Sequence, residues 1–279
     1  MEFKNPKVPE GINVSRHSPL YDLFLLGLGT LLLFAVLGFA ALFTGSLLGR
    51  HAPVAWERAV AGVILGDLLT EAEARRGPVD AELQALADRL SPHIPLPEGL
   101  EITAHYWDSD EINAFATVGG HIFIARGLVE RMRNENGLAM VVGHEIAHIA
   151  HRDPAASLGG GLLLQALTTL VTASGSEVPE ELIFGPNALL LGSFSRDAER
   201  EADAAALAAL AALYGHVTDA STFFDQVLGF PEPPELLSTH PLTRERIDFI
   251  GRTAGEQDWS LQGETTPLTP ELARLADGG

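Results

Sequence analysis

His144-Glu145-Ile146-Ala147-His148 is the stretch around which the rest of the chain can be interpreted, because its spacing is typical of a metal site on a helix. Residues i and i+4 of an α-helix lie on one face, so the two histidines can point to the same place. Two neutral imidazoles placed in this way suit a zinc ion, and Glu145 is placed to accept a proton from a water molecule that the metal activates. The stretch therefore predicts a zinc site with Glu145 as its proton acceptor.

The residues on either side of this stretch favour a buried helix. Asn134 or Asn136 can cap its start, since asparagine is a preferred capping residue of helices. The pair Asp153-Pro154 marks its end, because a residue that precedes proline is disfavoured in the helical conformation. The apolar positions around the histidines are Leu138, Val141, Val142, Ile146 and Ile149.

A catalytic zinc ion needs a third protein ligand, because such ions usually have three protein ligands and keep one position open. Pro154 stands where a third histidine would follow His148 in one common pattern, so that pattern is excluded. His151 lies on the same helix, where its spacing favours a supporting or surface position over that of a ligand. The third ligand therefore has to come from later in the chain.

A long, alanine-rich helix predicted over Asn187–Leu213 carries acidic residues that can complete the site. Its alanines allow a neighbouring helix to approach closely. Glu199 and Asp203 are about one turn apart and share a face, whereas Glu201 points about 200° away from Glu199. Glu199 and Asp203 can therefore face the histidine helix together, while Glu201 faces elsewhere.

The composition argues against several classes of function. The chain of 279 residues has 37 acidic and 18 basic residues, for a formal net charge of −19. This charge argues against nucleic acid as a partner, which requires a basic surface, and against binding to anionic lipids through a charged face. The absence of cysteine excludes disulfide bonds, thiolate zinc ligands and a cysteine nucleophile.

An uncharged run of 27 residues, Leu23–Gly49, lies between Asp22 and Arg50. About 20 apolar residues suffice to cross a bilayer as a helix, whereas the apolar part of a cleaved signal peptide has about 7–15 residues. We therefore predict a single uncleaved transmembrane anchor. Glycines that would let another helix approach this anchor closely are Gly27, Gly29 and Gly38.

A second uncharged run, Pro154–Ser176, is poorer in large apolar residues. A second crossing would separate the histidines from Glu199 across the membrane. We therefore predict an amphipathic helix over 155–173, near the site or the membrane surface, in a single-pass protein. The small excess of basic residues before the anchor predicts that the carboxyl-terminal domain lies outside the cytoplasm.

Strand-like runs between Leu100 and Ala125 predict a small sheet of two or three strands. With the predicted helices, they give an α+β class that is mainly helical. The predicted organisation is a polar amino-terminal segment (1–22), the anchor (23–49), a helical linker (50–92), a metal-binding domain (93–254) and a polar tail (255–279).

Further short motifs occur in order around the histidine stretch. They are Ile112-Asn113-Ala114-Phe115-Ala116, Gly119-Gly120-His121-Ile122-Phe123-Ile124, Arg126-Gly127-Leu128, Ser195-Arg196 with Glu199 and Asp203, and His240-Pro241 with Arg246. Together they make residues 100–250 resemble the HtpX-like and CAAX-prenyl-protease-like family of membrane-associated zinc metallopeptidases. The resemblance implies a zincin-like metallopeptidase domain with a small sheet, preceded here by one transmembrane helix.

This resemblance implies roles for five residues of the site. One zinc ion per chain is held by His144, His148 and Glu199. Glu145 is the general base of peptide hydrolysis. Asp203 orients a ligating histidine by accepting a hydrogen bond from its other ring nitrogen.

The resemblance also places His240 near the metal, with Arg246 supporting the site. His240 can donate a hydrogen bond to the oxyanion that develops on the scissile carbonyl. It can instead occupy the fourth position of the zinc ion as a latch on the resting enzyme, or simply pack against Pro241. We favour the oxyanion role in the substrate-bound state and leave the latch open for the resting state.

The strand Gly119–Ile124 resembles the edge strand with which family members pair a peptide substrate. Backbone hydrogen bonds along such an edge give affinity, and side-chain pockets give selectivity. The predicted substrate-binding residues are Gly119, Gly120, His121 and Ile122. Val118 departs from the family pattern, in which a proline is common before the glycine pair.

The resulting interpretation is a membrane-anchored, zinc-dependent endopeptidase in envelope protein quality control, at a bacterial inner membrane. The expected partners are protein or peptide substrates and, through residues 23–49, the lipid bilayer; nucleic acid is not expected and the oligomeric state is open. The chain lacks the multi-span chamber of the prenyl proteases, which argues against CAAX processing. The alternative is a membrane-tethered, chaperone-like binding protein with a non-catalytic zinc site.

Overall fold

The computed structural model describes residues 18–172, 194–222, 224, 240 and 244–277; residues 1–17 of the predicted polar segment lie outside these ranges. Helices dominate and one three-stranded sheet is present, which confirms the predicted α+β, mainly helical class. The strands are β1 (Thr103–Trp107), β2 (Ala114–Ala116) and β3 (His121–Ala125). The helices are α1 (Pro19–Arg50), α2 (Val54–Ile64), α3 (Gly66–Ala74), α4 (Pro78–Leu90), α5 (Arg126–Val129), α6 (Glu135–Ala150), α7 (Asp153–Thr172), α8 (Arg196–Tyr214), α9 (Arg244–Glu256) and α10 (Pro270–Ala276).

The first helix, α1, contains the whole predicted anchor and extends it at both ends. Among the described residues it is the one helix long and apolar enough to cross a membrane. Most of its side chains are exposed. α7 packs against its carboxyl-terminal half in the antiparallel direction, since Gly38 lies nearest to Leu164 whereas Gly49 lies against Ala155.

Two glycines of α1 allow this close approach. A Cβ atom on Gly45 would lie 2.2 Å from a carbonyl oxygen of α7, and one on Gly49 would lie 2.0 Å from another. Gly27 and Gly29 were also predicted to allow helix contact, but among the described residues nothing beyond their own stretch of α1 backbone lies within 4 Å of a Cβ position. The helix predicted over 155–173 is present as α7, and its position relative to a membrane stays a prediction.

Helices α6 and α8 pack side by side at the centre of the core. The side chain of Asn134 caps α6 by accepting a hydrogen bond in the first turn, and residues 135–149 are all buried. Small residues bring the two helices together, because the Cβ atom of Ala206 lies only 3.4 Å from a Cβ position on Gly143. The predicted start of α8 at Asn187 lies outside the described residues.

The predicted end of the histidine helix is slightly wrong. α6 ends at Ala150, and Asp153-Pro154 opens α7. Proline fits there because the first turn of a helix needs no N–H donor. Arg152 makes the bend between the helices with a φ of 64°.

The sheet has the strand order β1–β3–β2. β1 runs parallel to β3, and β2 runs antiparallel to it. Gly119 and Gly120 form the turn between β2 and β3 with φ values of 85° and 89°, a conformation that glycine adopts without steric cost. α4 covers the outer edge of β1, because Gln84 and Asp80 each accept a hydrogen bond of 2.8 Å from its backbone.

The main hydrophobic core is wider than the range 93–254 predicted for the metal-binding domain. Leu83, Leu86 and Leu90 of α4 and Leu272 of α10 are buried in it. Packing of the core therefore includes parts of the predicted linker and of the predicted tail. The domain limits themselves stay a prediction.

We expect Ser46→Cys combined with Gly160→Cys to form an intramolecular disulfide in the full chain. The Oγ atom of Ser46 lies 2.7 Å from the place that a Cβ atom would take on Gly160, and the chain has no cysteine that would compete. Gly29→Cys with Gly160→Cys is the control, since Gly29 is open. Alkylation of free thiols and mass spectrometry measure the bond; equal yields from both pairs would contradict the packing of α7 on α1.

Candidate metal centre

His144 and His148 project from α6 toward one point. Their Nε2 atoms lie 3.0 Å apart, and both side chains are buried. Two facing imidazole nitrogens can share only one proton, so a cation near both satisfies two lone pairs at once. The helix thus brings the two histidines together in the way that their spacing predicts.

Glu199 reaches the same point from α8. Its Oε1 lies 3.4 Å from Nε2 of His148, and its Oε2 lies 3.5 Å from Nε2 of His144. Burial alone would raise the pKa of Glu199, but hydrogen bonds with the surrounding imidazoles outweigh it and hold the pKa well below its ordinary value. Its carboxylate oxygens lie beside the same two imidazole nitrogens, so Glu199 is placed to be a third ligand of a metal ion at this point.

His240 joins the same cluster. Its Nδ1 lies 3.1 Å from Oε1 of Glu199 and 3.3 Å from Nε2 of His144, and its Nε2 lies 3.6 Å from Oε1 of Glu145. The side chain is buried, and burial lowers the pKa of its ring. The structure therefore brings His240 among the candidate ligands.

Glu145 lies beside these side chains and is fully buried. Burial raises the pKa of its carboxyl group, while the nearby imidazoles of His240 and His144 oppose that rise, as does the backbone N–H of Ala116. A carboxyl group whose pKa is raised in this way is suited to take up a proton and to return it.

Behind His144, Asp203 and Arg246 form a hydrogen-bonded support. Oδ1 of Asp203 lies 3.0 Å from Nδ1 of His144, and Arg246 donates to both oxygens of Asp203 at 2.7 and 2.9 Å. Arg246 also contacts Glu199. Burial alone would raise the pKa of Asp203, but the hydrogen bonds from Arg246 and His144 lower it. With Nδ1 facing the carboxylate of Asp203, His144 directs Nε2 to the cluster.

The side chains of His144, His148, Glu199 and His240, here called the metal group, can hold a metal ion. One donor atom from each lies within 4.8 Å of the others, and all four residues are buried. Three imidazole nitrogens and one carboxylate oxygen are donors that zinc commonly takes in proteins. The donor set and its hydrogen-bonded support therefore fit a metal site.

A comparison with models of protein families identifies the family of this chain. Residues 75–254 match the model of peptidase family M48, which is more than half of the chain. The chain belongs to peptidase family M48. The predicted resemblance to membrane-associated zinc metallopeptidases is thereby confirmed.

Curated relatives agree with the M48 assignment. The metalloendopeptidase OMA1, mitochondrial, of Danio rerio is 29% identical over 223 residues, which are 74% of this chain and 46% of the relative. A putative beta-barrel assembly-enhancing protease of Vibrio cholerae is 34% identical over 151 residues, 49% of this chain and 31% of the relative. The beta-barrel assembly-enhancing protease of Escherichia coli K12 is 32% identical over 182 residues, 59% and 37% respectively. The chain spans less than half the length of each of these relatives.

In this M48 chain, Asp153 supports the second histidine much as Asp203 supports the first. Its Oδ2 accepts a hydrogen bond of 2.9 Å from Nδ1 of His148, and the carboxyl group is buried. The sequence pattern predicted for Asp153 only a role in ending a helix. The sequence does contain a signal for this contact with His148, because Asp153 lies five residues after it, just past the end of the helix. His151 is not part of the metal group.

The prediction that Gly119–Ile124 forms an edge strand is wrong. β3 is the central strand, bonded to β1 on one side and to β2 on the other, so no peptide can add beside it. Gly119 and Gly120 lie in the turn before β3. His121 begins the strand with Ile122, and its Nδ1 lies 3.0 Å from Nε2 of His105. Pairing of a peptide beside β3 is therefore excluded as the way in which these four residues bind substrate, and their part in substrate binding stays a prediction.

The edge strand next to the metal group is β2. Every second residue along β2 turns its backbone groups toward β3, namely those at 113, 115 and 117. The backbone groups of Ala114 and Ala116 therefore point to the free edge of the strand. No further strand pairs with this edge among the described residues. Asn113 is fully buried, and its side-chain amide has no hydrogen-bond partner within the described ranges.

We expect the full chain, purified in detergent, to bind one zinc ion, and Glu199→Ala to lose it. Removing a ligand should weaken binding by about 100-fold or more, since removing an outer partner of a ligand already costs about 10- to 100-fold. Glu201→Ala is the matched control, because Glu201 is exposed on the same helix. Elemental analysis after dialysis measures the metal. Full zinc in Glu199→Ala with loss in Glu201→Ala would show that the wrong glutamate had been chosen.

Proposed function

We propose that this M48 chain is a membrane-anchored, zinc-dependent endopeptidase that hydrolyses peptide bonds of protein substrates. The observation that carries the proposal is the buried set of His144, His148 and Glu199 with Glu145 beside it. Family membership and the relatives named metalloendopeptidase or protease support it. The choice of zinc follows from imidazole and carboxylate donors in a buried site.

Each side chain of the site has a chemical task in this proposal. A zinc ion supplies Lewis-acid polarisation of the peptide carbonyl and makes water more acidic. Glu145 takes a proton from the attacking water and delivers it to the leaving amine nitrogen, a task that its raised pKa suits. Asp153 accepts a hydrogen bond from Nδ1 of His148, and Asp203 lies 3.0 Å from Nδ1 of His144. The two carboxyl groups keep the Nε2 atoms of the histidines directed at the metal group.

The free edge of β2 supports extended peptide as the form of the substrate. Ala114 and Ala116 offer backbone donors and acceptors there, beside Glu145, and an added strand would bond to them. The amide of Asn113 would gain a partner from the same peptide. Segments inside a helix or sheet already have their backbone groups bonded, so the favoured substrates are locally unfolded stretches of protein.

The apolar, exposed surface of α1 supports attachment to a lipid bilayer. We place the chain as a single-pass protein of a bacterial inner membrane, with the peptidase domain over the predicted range 93–254 outside the cytoplasm. Its substrates there are unfolded or wrongly assembled envelope proteins. The relatives named beta-barrel assembly-enhancing protease support this role in protein quality control.

Glu145→Gln separates proteolysis from the alternative of a chaperone-like binding protein. We expect the variant to keep its zinc and to bind an unfolded model protein, while cleavage falls by about 10²–10⁴-fold, the usual contribution of a general base. Release of fluorescent peptides by the full chain in detergent measures cleavage. Glu201→Gln is the control and should cleave normally. Equal binding by all three chains without cleavage by the wild type would favour the alternative.

His240→Ala tests the two roles of this histidine, because they predict opposite changes in activity. As an oxyanion donor in the substrate-bound state, His240 should contribute about 10²–10³-fold to turnover, so we expect that loss with zinc retained. As a latch, it closes the metal group at rest, and the same substitution would raise basal activity and self-cleavage. Turnover of an unfolded model protein is measured together with zinc content. Unchanged activity would contradict both roles.

A further inference from the structure

Asp153 lies between a candidate metal ligand and the end of the membrane helix α1. Its Oδ2 accepts a hydrogen bond from Nδ1 of His148 at 2.9 Å, and its Oδ1 accepts one from Nη2 of Arg50 at 3.1 Å. The side chain of Asp153 is 4% exposed, whereas that of Arg50 is 53% exposed. A single carboxyl group thus joins α1 to the metal group.

Arg50 is the last residue of α1, and other contacts fix the chain around it. Gly49 meets the backbone of α7 too closely for any side chain to fit. Just beyond, Arg152 donates hydrogen bonds to the carbonyl oxygen of Ala52 at 2.6 Å and to Glu57 at 3.0 Å. These contacts seat the end of α1 on the junction between α6 and α7, so the guanidinium of Arg50 reaches Asp153 from a defined place.

The hydrogen bond from Arg50 restrains the carboxyl group of Asp153, which would otherwise rotate easily. The terminal torsion of an aspartate is soft, so one hydrogen bond to the ring of His148 leaves the carboxyl plane free to rotate. With Oδ1 engaged by Arg50, Oδ2 stays directed at Nδ1, and Nε2 of His148 faces the metal group. Asp203 is also held by an arginine, since Arg246 donates to both of its oxygens while Oδ1 lies 3.0 Å from Nδ1 of His144.

We propose that Arg50 is a positioning residue of the metal centre, and that the seated end of the membrane helix is part of the support of the site. Arg50 acts through Asp153 on His148 and strengthens the binding of zinc while α1 is seated on α7. The inference rests on the proposed metal site and goes beyond it, because metal affinity becomes coupled to the seating of the membrane helix.

The zinc dissociation constant of the full chain in detergent micelles tests this proposal, measured by competition with a chromophoric chelator. We expect Arg50→Ala to raise it about 3- to 10-fold, less than the 10- to 100-fold of a direct partner, because the ion pair is half exposed and screened. Arg50→Lys should restore most of the affinity, since a single contact does not need the two-pronged geometry of arginine. Arg58→Ala removes an exposed charge of the same segment and should change nothing.

A double substitution separates positioning from a general structural effect. Asp153→Asn should raise the zinc dissociation constant about 10- to 100-fold. Adding Arg50→Ala to it should cause no further loss, because Arg50 acts only through that carboxyl group. Thermal unfolding of the metal-free chains is recorded in parallel, and Arg50→Ala should unfold as the wild type does.

Several outcomes would overturn the proposal. They are an unchanged constant in Arg50→Ala, the same loss in Arg58→Ala, additive losses in the double variant, and a loss of affinity that follows a loss of metal-free stability. A wild-type chain that binds no zinc would instead overturn the proposed metal centre, so the two failures can be told apart.

Discussion

The burial of several acidic side chains at one place is the constraint on which the rest of the structure depends. A buried carboxylate is costly unless it is paired and hydrogen-bonded. Arg246 contacts both Glu199 and Asp203, His144 lies beside the same two carboxylates, and Asp153 bonds to His148. The partners in this network come from α6, α7, α8 and α9. These helices cannot shift against one another without leaving a charge uncompensated. The same network that satisfies the charges therefore also directs the imidazoles toward one point.

The parts of the site that depend on spacing within one helix could be predicted from the sequence. His144 and His148 are four positions apart, as are Glu199 and Asp203, which places each pair on a common face in any fold that keeps the helix. The same spacing rule predicted that Glu201 faces away from Glu199 on the helix. Local patterns likewise predicted the buried helix and its asparagine cap, because both are properties of a short segment.

Features that depend on contacts between distant segments could not be predicted in this way. Short strands with similar patterns can pair in more than one order, and only the assembled sheet shows that β3 is central and β2 lies at the edge. Gly45 and Gly27 both lie in the uncharged run, yet of these two only Gly45 has α7 against it. Asp153-Pro154 is compatible with the end of one helix or the start of the next, since proline fits a first turn.

The antiparallel contact between α1 and α7 also sets a length scale. The stretch of α1 from Gly38 to Gly49 that meets α7 corresponds to about 16 Å of helix. This is about half of a hydrocarbon layer that is roughly 30 Å thick. If α1 crosses a bilayer, the junction of α6 and α7 would stand at the level of the lipid headgroups, with His148 close to it. The height of the metal group above the membrane surface would then be fixed by the length of this contact between α1 and α7 and not by a flexible linker.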